Sequence, residues 1–391
     1  MKRFLLHNLH LILFLTFVNL TVTLSGQISL HNHILPNTPE NVRLLISPSG
    51  TIAGYWTDEE VSLSKLTTKF EDKRVLQVLP ITLFGDLHFM VVTVEPISSY
   101  SPRTMTISFF TSKGSEVTSW PISIPWDHAF PSVIPIDEGL VLITDPESQE
   151  VRLMDQHGNL KAVDFLFPDT DRDHEKVLAA APSSQNHVYL GGMKSASLDQ
   201  SDNVVLFSWN LDESPVNIME LPLTVLRDIT ISHSGFAAVS GTVTTEKVFN
   251  QEPRLILISL KNLTIVSYDF LPKKMLWVND RLFAADNHQL IVIHPENKET
   301  LAEIQFDRKV IPLQLFTAKP SVHLLYAESS RYSEGIIELG DINILSINLQ
   351  SFYDSVTSVS REYHKVVQAW PTEDDLFFLQ LDGELLEYHP D

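Results

Sequence analysis

The chain is written in short apolar runs separated by clusters of turn-forming residues. Runs such as "DLHFMVVTVEP", "EGLVLITDPES", "RLILISL" and "HQLIVIHPE" are rich in Val, Ile, Leu and Phe, and Gly, Asp, Asn, Ser and Pro gather between them. Apolar segments of strand length bounded in this way predict β-strands joined by tight turns. No long stretch carries the period of an amphipathic helix. "DEEVSLSKLTTKFEDKR" comes nearest, and its Val61, Leu63 and Leu66 fit neither the helical nor the strand period.

A strand, a tight turn and a second strand recur eight times, from "VRLLISPSGTIAGYW" and "VLQVLPITLFGDLHFMVV" to "IPLQLFTAKPSVHLLYAE" and "HKVVQAWPTEDDLFFLQL". The starts lie roughly 35 to 55 residues apart, the interval of a four-stranded propeller blade. A second kind of hairpin falls between them, as in "VRLMDQHGNLKAVDF" and "LILISLKNLTIVSYDF". If the first kind supplies strands a and b of a blade, the second supplies c and d. The expected fold is therefore an all-β β-propeller of four-stranded antiparallel blades. Eight a–b hairpins can be counted, but the stretch from Trp56 to Arg74 leaves little room for both c and d. Seven blades are favoured on fold frequency, with eight as the alternative. The last hairpin stops where strand d should follow, while "GQISLHNHIL" stands alone ahead of the first strand a. Gln27 to Ile34 are expected to complete the last blade, which removes an open edge.

Two of the turns share a pattern. "ISPSGTIA" at Ile46–Ala53 and "ISHSGFAA" at Ile231–Ala238 both place Ser before a Gly and small residues after it. Gly50 and Gly235 fall where the turn needs a positive φ, and the serines can hydrogen-bond the turn backbone. The pattern resembles the hairpin signature of TolB-type and WD-like propeller repeats. It departs at Ser49 where Asp is usual, and at His233 and Ser234 where Pro and Asp are usual. The resemblance covers these stretches and the rhythm of the chain. It implies a fold class and no particular family.

The first 26 residues read differently. Lys2 and Arg3 precede a largely apolar run from Phe4 to Leu24, and Thr23, Ser25 and Gly26 are small residues suited to a cleavage site at its end. That is the layout of a secretory signal, residues 1–26, followed by a single domain, residues 27–391. An uncleaved anchor is the alternative, and His7, Asn8, His10 and Asn19 weaken it. The expected location is secreted or periplasmic, with no membrane span once the signal is cut. There are no cysteines, which rules out disulfides, thiolate metal sites and a cysteine nucleophile. The net charge is −21, and cutting the signal removes Lys2 and Arg3, making it about −23. A surface this acidic repels phosphate backbones, so nucleic acid is not an expected partner.

Candidate chemistry falls in the loops from strand d to the next strand a, which share one rim of a propeller. Trp126, Asp127, His128, Asp171, Asp173, His174, Arg227, Asp228, Asp307, Arg308, Arg361 and His364 lie there. Mixed Asp, Arg and His around a mouth suit a polar ligand, and Trp126 suits stacking. Solvated loop polarity is the simpler explanation. Asp169, Asp171 and Asp173 alternate and could face one Ca²⁺, although an EF-hand spacing is missing. His31 and His33 form a pair without a third ligand. "NLT" at Asn262 is a glycan acceptor motif in a eukaryotic host. There is no His-Glu-x-x-His, no Gly-x-Ser-x-Gly and no phosphate-binding glycine loop. The favoured function is a non-catalytic monomeric platform for a protein or glycan, without cofactor. The alternative is a hydrolase or lyase with His128, His174 or His364 as base beside a rim Asp.

Overall fold

The structure, a computed structural model, describes residues 28–29, 42–47, 49, 51–64, 66–83, 86–95, 102–124, 132–135, 141–144, 151–154, 160–163, 175–184, 187–194, 203–210, 213, 216–245, 250–333, 336–372, 375–382 and 384–388. Residues 1–26, Gly50, His31 and His33 lie outside them. Strands account for all the regular structure described, and no helix there is long and apolar enough to cross a membrane.

In chain order, β1 is Ile28–Ser29. The next strands come in consecutive fours: β2–β5 (Arg43–Ile46, Ile52–Trp56, Glu60–Leu63, Leu66–Lys69) and β6–β9 (Arg74–Leu83, Asp86–Val94, Arg103–Thr111, Glu116–Ile124). They continue as β10–β13 (Ser132–Pro135, Val141–Thr144, Val151–Met154, Leu160–Val163) and β14–β17 (Glu175–Ser184, His187–Lys194, Asn203–Asn210, Val216–Leu221). Then come β18–β21 (Val225–Ile231, Phe236–Thr245, Asn250–Ser259, Thr264–Tyr268) and β22–β25 (Lys274–Val278, Arg281–Ala285, Gln289–His294, Glu299–Gln305). β26–β29 (Ile311–Ala318, Ser321–Ser333, Ile336–Asn348, Asp354–Ser360) are followed by β30–β32 (Val367–Pro371, Phe377–Leu381, Glu384–Tyr388). Each four makes one up-and-down sheet, and the last is completed by β1 in the order β1-β32-β31-β30. Eight four-stranded sheets thus occur among the described residues, one opened by each a–b hairpin legible in the sequence. A chain of four-stranded meanders whose last sheet borrows its outer strand from the N-terminal end is the β-propeller pattern. The borrowed strand pairs Ile28 with Tyr388 and Ser29 with Glu387, within the stretch expected to do so.

The segment that seemed too short for two strands holds both. β4 and β5 are four residues each, and Ser64 turns between them at φ 55°. The would-be helix "DEEVSLSKLTTKFEDKR" is this hairpin, because Val61 and Leu63 are buried on β4 while β5 is largely exposed.

The chain divides into two compact units, Met1–Ile52 with Ile311–Asp391, and Ala53–Val310. In the second, b and c strands are buried on both faces: β7 from Phe89 to Val94 and β8 from Met105 to Phe110. That is why the sequence shows continuous apolar runs there instead of alternation. Outer strands such as β9 keep polar, exposed positions, which suits an edge. Between the β18–β21 and β22–β25 sheets, Ala238, Leu255 and Leu257 meet Leu282, Ala284 and Ile291. The first unit repeats the device with Leu325, Ala327 and Ile344 against Phe377, Leu379 and Leu386. Each large side chain so buried contributes about 1.5–3 kcal/mol.

The related turns at Ile46 and Ile231 are held by the same bonds. The Ser47 amide donates to the Thr51 carbonyl at 2.9 Å, and the Thr51 amide donates to Ser47 Oγ at 3.1 Å. The Ser232 amide and the Phe236 carbonyl meet at 2.8 Å, and the Phe236 amide donates to Ser232 Oγ at 2.9 Å. Gly235 has φ 87°, the positive value the pattern required.

Candidate functional site

Of the sequence-nominated residues, Trp126, Asp127, His128, Asp169, Asp171, Asp173 and His174 lie outside the described residues. In the second unit Arg227 is exposed on β18, and Asp307 and Arg308 are exposed after β25. Asp228 caps its own chain, its Oδ1 accepting from the Ile229 amide at 2.9 Å. Desolvation pushes its carboxyl above the usual range, against the pull of that amide and of Lys274. In the first unit Arg361 is exposed and His364 is buried. Among the described residues, no three His, Asp or Glu side chains gather around a point that could hold an ion.

His364 is the nominated residue with the most structure around it. Its backbone forms a two-way bridge with Leu339, both bonds at 2.8 Å. Nδ1 lies 3.2 Å from Asp382 Oδ2, and Nε2 lies 2.8 Å from Ser360 Oγ. A carboxylate can only accept, so Nδ1 carries the proton and Nε2 accepts from the serine. Ser360 Oγ in turn accepts from the Glu362 amide at 3.1 Å. Asp382 Oδ1 takes the amides of Lys365 at 2.7 Å and Val366 at 2.9 Å. Burial alone would raise the Asp382 carboxyl; the bonds from His364, Val366 and Lys365 outweigh it and hold it below the usual range. Asp382 sits just after β31 at φ 50°. The cluster therefore ties the loop between β29 and β30 to the turn between β31 and β32.

That loop braces a projection. β26 pairs with β27 only as far as Ala327, and β29 pairs with β28 only from Ile342 onward. β27 and β28 continue together to the pair Ser333 and Ile336, forming a two-stranded ribbon. On one face Arg331 Nε donates to Glu338 Oε2 at 2.5 Å, and its guanidinium lies 4.2 Å from the centre of the Tyr363 ring. The same ring packs on Gly340, where an added Cβ would come within 2.9 Å of it. On the ribbon, the cross-strand partners Tyr332 and Ile337 are 76% and 61% exposed.

The first unit also buries Gln380 and His323, both with hydrogen-bond partners, while Trp370 Nε1 is buried without one among the described residues. Gln380 Oε1 accepts from the Leu44 amide at 2.9 Å, and its Nε2 donates to the carbonyls of Val42 at 2.7 Å and Asp382 at 2.8 Å. His323, 0% exposed, lies among Phe316, Phe377 and Tyr388. Its Nε2 donates to the Ala318 carbonyl at 3.2 Å and its Nδ1 accepts from Ser346 Oγ at 2.9 Å. Burial lowers its pKa to about 4, with the Ala318 carbonyl opposing.

Two clefts are formed by described residues of the second unit. One, about 520 Å³, is lined by Asp58, Glu59, Glu60, Glu71 and Asp72 with Lys69, Lys73 and Arg74. Several of its charges are engaged: Arg74 pairs with Asp58 at 2.8 Å, Glu60 accepts from Tyr55 Oη at 3.2 Å, and Lys73 reaches Thr106 Oγ1 at 3.1 Å. The other, about 440 Å³, lies where the β18–β19, β20–β21 and β24–β25 turns come together.

No protein-family model matches the chain, and no curated protein matches it. Solved structures resemble it at the level of fold. A streptogramin B lyase shares 12% identity, with 75% of this chain and 91% of that chain covered at a TM-score of 0.45. The virginiamycin B lyase of Staphylococcus aureus shares 12%, covering 81% and 98% at 0.48. A chain of the mitotic checkpoint complex shares 9%, covering 81% and 90% at 0.49. Likeness this distant assigns neither an activity nor a partner to this chain.

Proposed function

We propose that this protein is an exported β-propeller that binds a protein partner through the ribbon of β27 and β28. The signal-like layout of residues 1–26 supports export; residues 27–391 are taken as one domain, a monomer with each sheet as a blade. One observation carries the binding reading: Tyr332 and Ile337 are held out together on a ribbon braced by Tyr363 and by the His364–Leu339 bridge. A projecting aromatic–aliphatic pair fits a pocket on another protein, and a braced ribbon loses little freedom on docking. A photoreactive phenylalanine analogue placed at position 332 or 337 tests this. Both positions should crosslink the same partner, and position 216, 61% exposed on β17, should not. The double substitution Tyr332→Ser and Ile337→Ser should weaken that partner's affinity at least about tenfold. Equal crosslinking from all three positions, or none, defeats the reading.

The second reading, a hydrolase, is favoured by Ser360, His364 and Asp382, whose bonds run in the order of a Ser–His–Asp relay. The same bonds fasten a loop: Asp382 spends its other oxygen on two amides, and the His364 backbone is tied to Leu339. The fastening accounts for every bond in the cluster without chemistry.

A further inference from the structure

We infer that the 440 Å³ cleft of the second unit is a binding site for a small acidic sugar, of the uronate class. The site is separate from the ribbon and does not rest on its function. Its size is within the ordinary range of small-ligand clefts.

The cleft is set apart by the polar groups it leaves unengaged. Lys261 and Lys298 line the cleft from the β20–β21 and β24–β25 turns, and neither ammonium has a partner among the described residues. In a chain of net charge −21, two unanswered lysines at one cleft make a local positive spot. Asn262, Ser259 and Thr264 also line it, and their side chains are likewise without partners among the described residues. An amide and two hydroxyls offer both donors and acceptors to ring hydroxyls. The apolar side chains in the lining, Leu257 and Phe236 among them, give the carbon face of a ring somewhere to rest. Gly235 leaves its side of the cleft open, with nothing within 4 Å of where a Cβ would stand.

In the other cleft Arg74 already holds Asp58 and Lys73 a threonine, and five carboxylates share the lining with the cations. A carboxylate-bearing sugar matches the free set: charge for the lysines, hydroxyls for the amide and hydroxyls, and an apolar face for the floor. Glu296, also in the lining, adds an acceptor and disfavours ligands of high negative charge such as polyphosphates.

Saturation-transfer NMR on the full mature chain tests this with glucuronate, glucose and sulfate as probes. Glucuronate should receive saturation through its ring protons, and glucose should bind at least about tenfold more weakly. The variant carrying Lys261→Ala and Lys298→Ala should lose about tenfold in glucuronate affinity while melting at the parent temperature, because both side chains are exposed. Added salt should weaken glucuronate and leave glucose unchanged. Glucose binding as well as glucuronate, sulfate competing as well as glucuronate, or a lysine variant that binds unchanged would each overturn the inference.

Discussion

His364 and Lys261 both sit in connections between strands, and both carry nitrogen groups able to donate hydrogen bonds. Their situations are opposite. His364 is buried, and every polar atom it owns is engaged, by Leu339, Asp382 and Ser360. Lys261 is exposed and its ammonium is unengaged among the described residues. A polar residue in a loop therefore bears on binding only where its hydrogen-bonding atoms are left free by the fold. A spent group stabilises the fold, and an unspent one is available to a ligand.

The largest effect on the spent side should come from His323. Its pKa is about 4 when folded against about 6.5 in the unfolded chain. The unfolded state therefore takes up a proton that the folded state refuses. Stability is complete above pH 6.5, falls as the pH drops from 6.5 towards 4, and is level below that. The loss amounts to about 3 kcal/mol across the window. Denaturant unfolding at pH 7 and pH 4.5 should show most of it, and His323→Phe, which keeps the aromatic cluster, should show a much shallower slope. An unchanged slope would place the acid sensitivity elsewhere. Asp382 acts in the same direction at lower pH: its depressed pKa gives stability that is present above the usual carboxylate range and lost as pH falls through the folded value.

A smaller effect is expected at His364. Substituting Ala should cost about 1–3 kcal/mol by leaving Asp382 and Ser360 short of partners. It should also raise amide exchange at Leu339, Lys365 and Val366, whose bonds the cluster positions. Loss of stability without faster exchange at those amides would mean that the histidine does not hold the loop.

Much of the fold was legible because the signals are local. Turn residues and apolar runs recur in each sheet, so all eight a–b hairpins could be found from sequence alone. The β4–β5 hairpin was the exception, since strands of four residues joined by a left-handed Ser64 leave too little text to show a period. The site was less legible. His364 was nominated as a titratable loop residue, but Ser360 and Asp382 were not, because Asp382 reaches it only through the pairing of β30 with β31. The ribbon was missed because its excess length is visible only once β26 and β29 are seen to stop short. Lys261 and Lys298 each look like an ordinary turn lysine. Their occurrence in the same turn of two successive sheets was the available sign.

Whether the His364 cluster is a fastening or a reactive centre is tested by treating the purified protein with a fluorophosphonate and mapping the adduct by mass spectrometry. The account predicts that Ser360 stays unmodified at neutral pH. Stoichiometric labelling of Ser360 that disappears in His364→Ala would contradict it, and would establish an activated serine where the structure is read as a clasp.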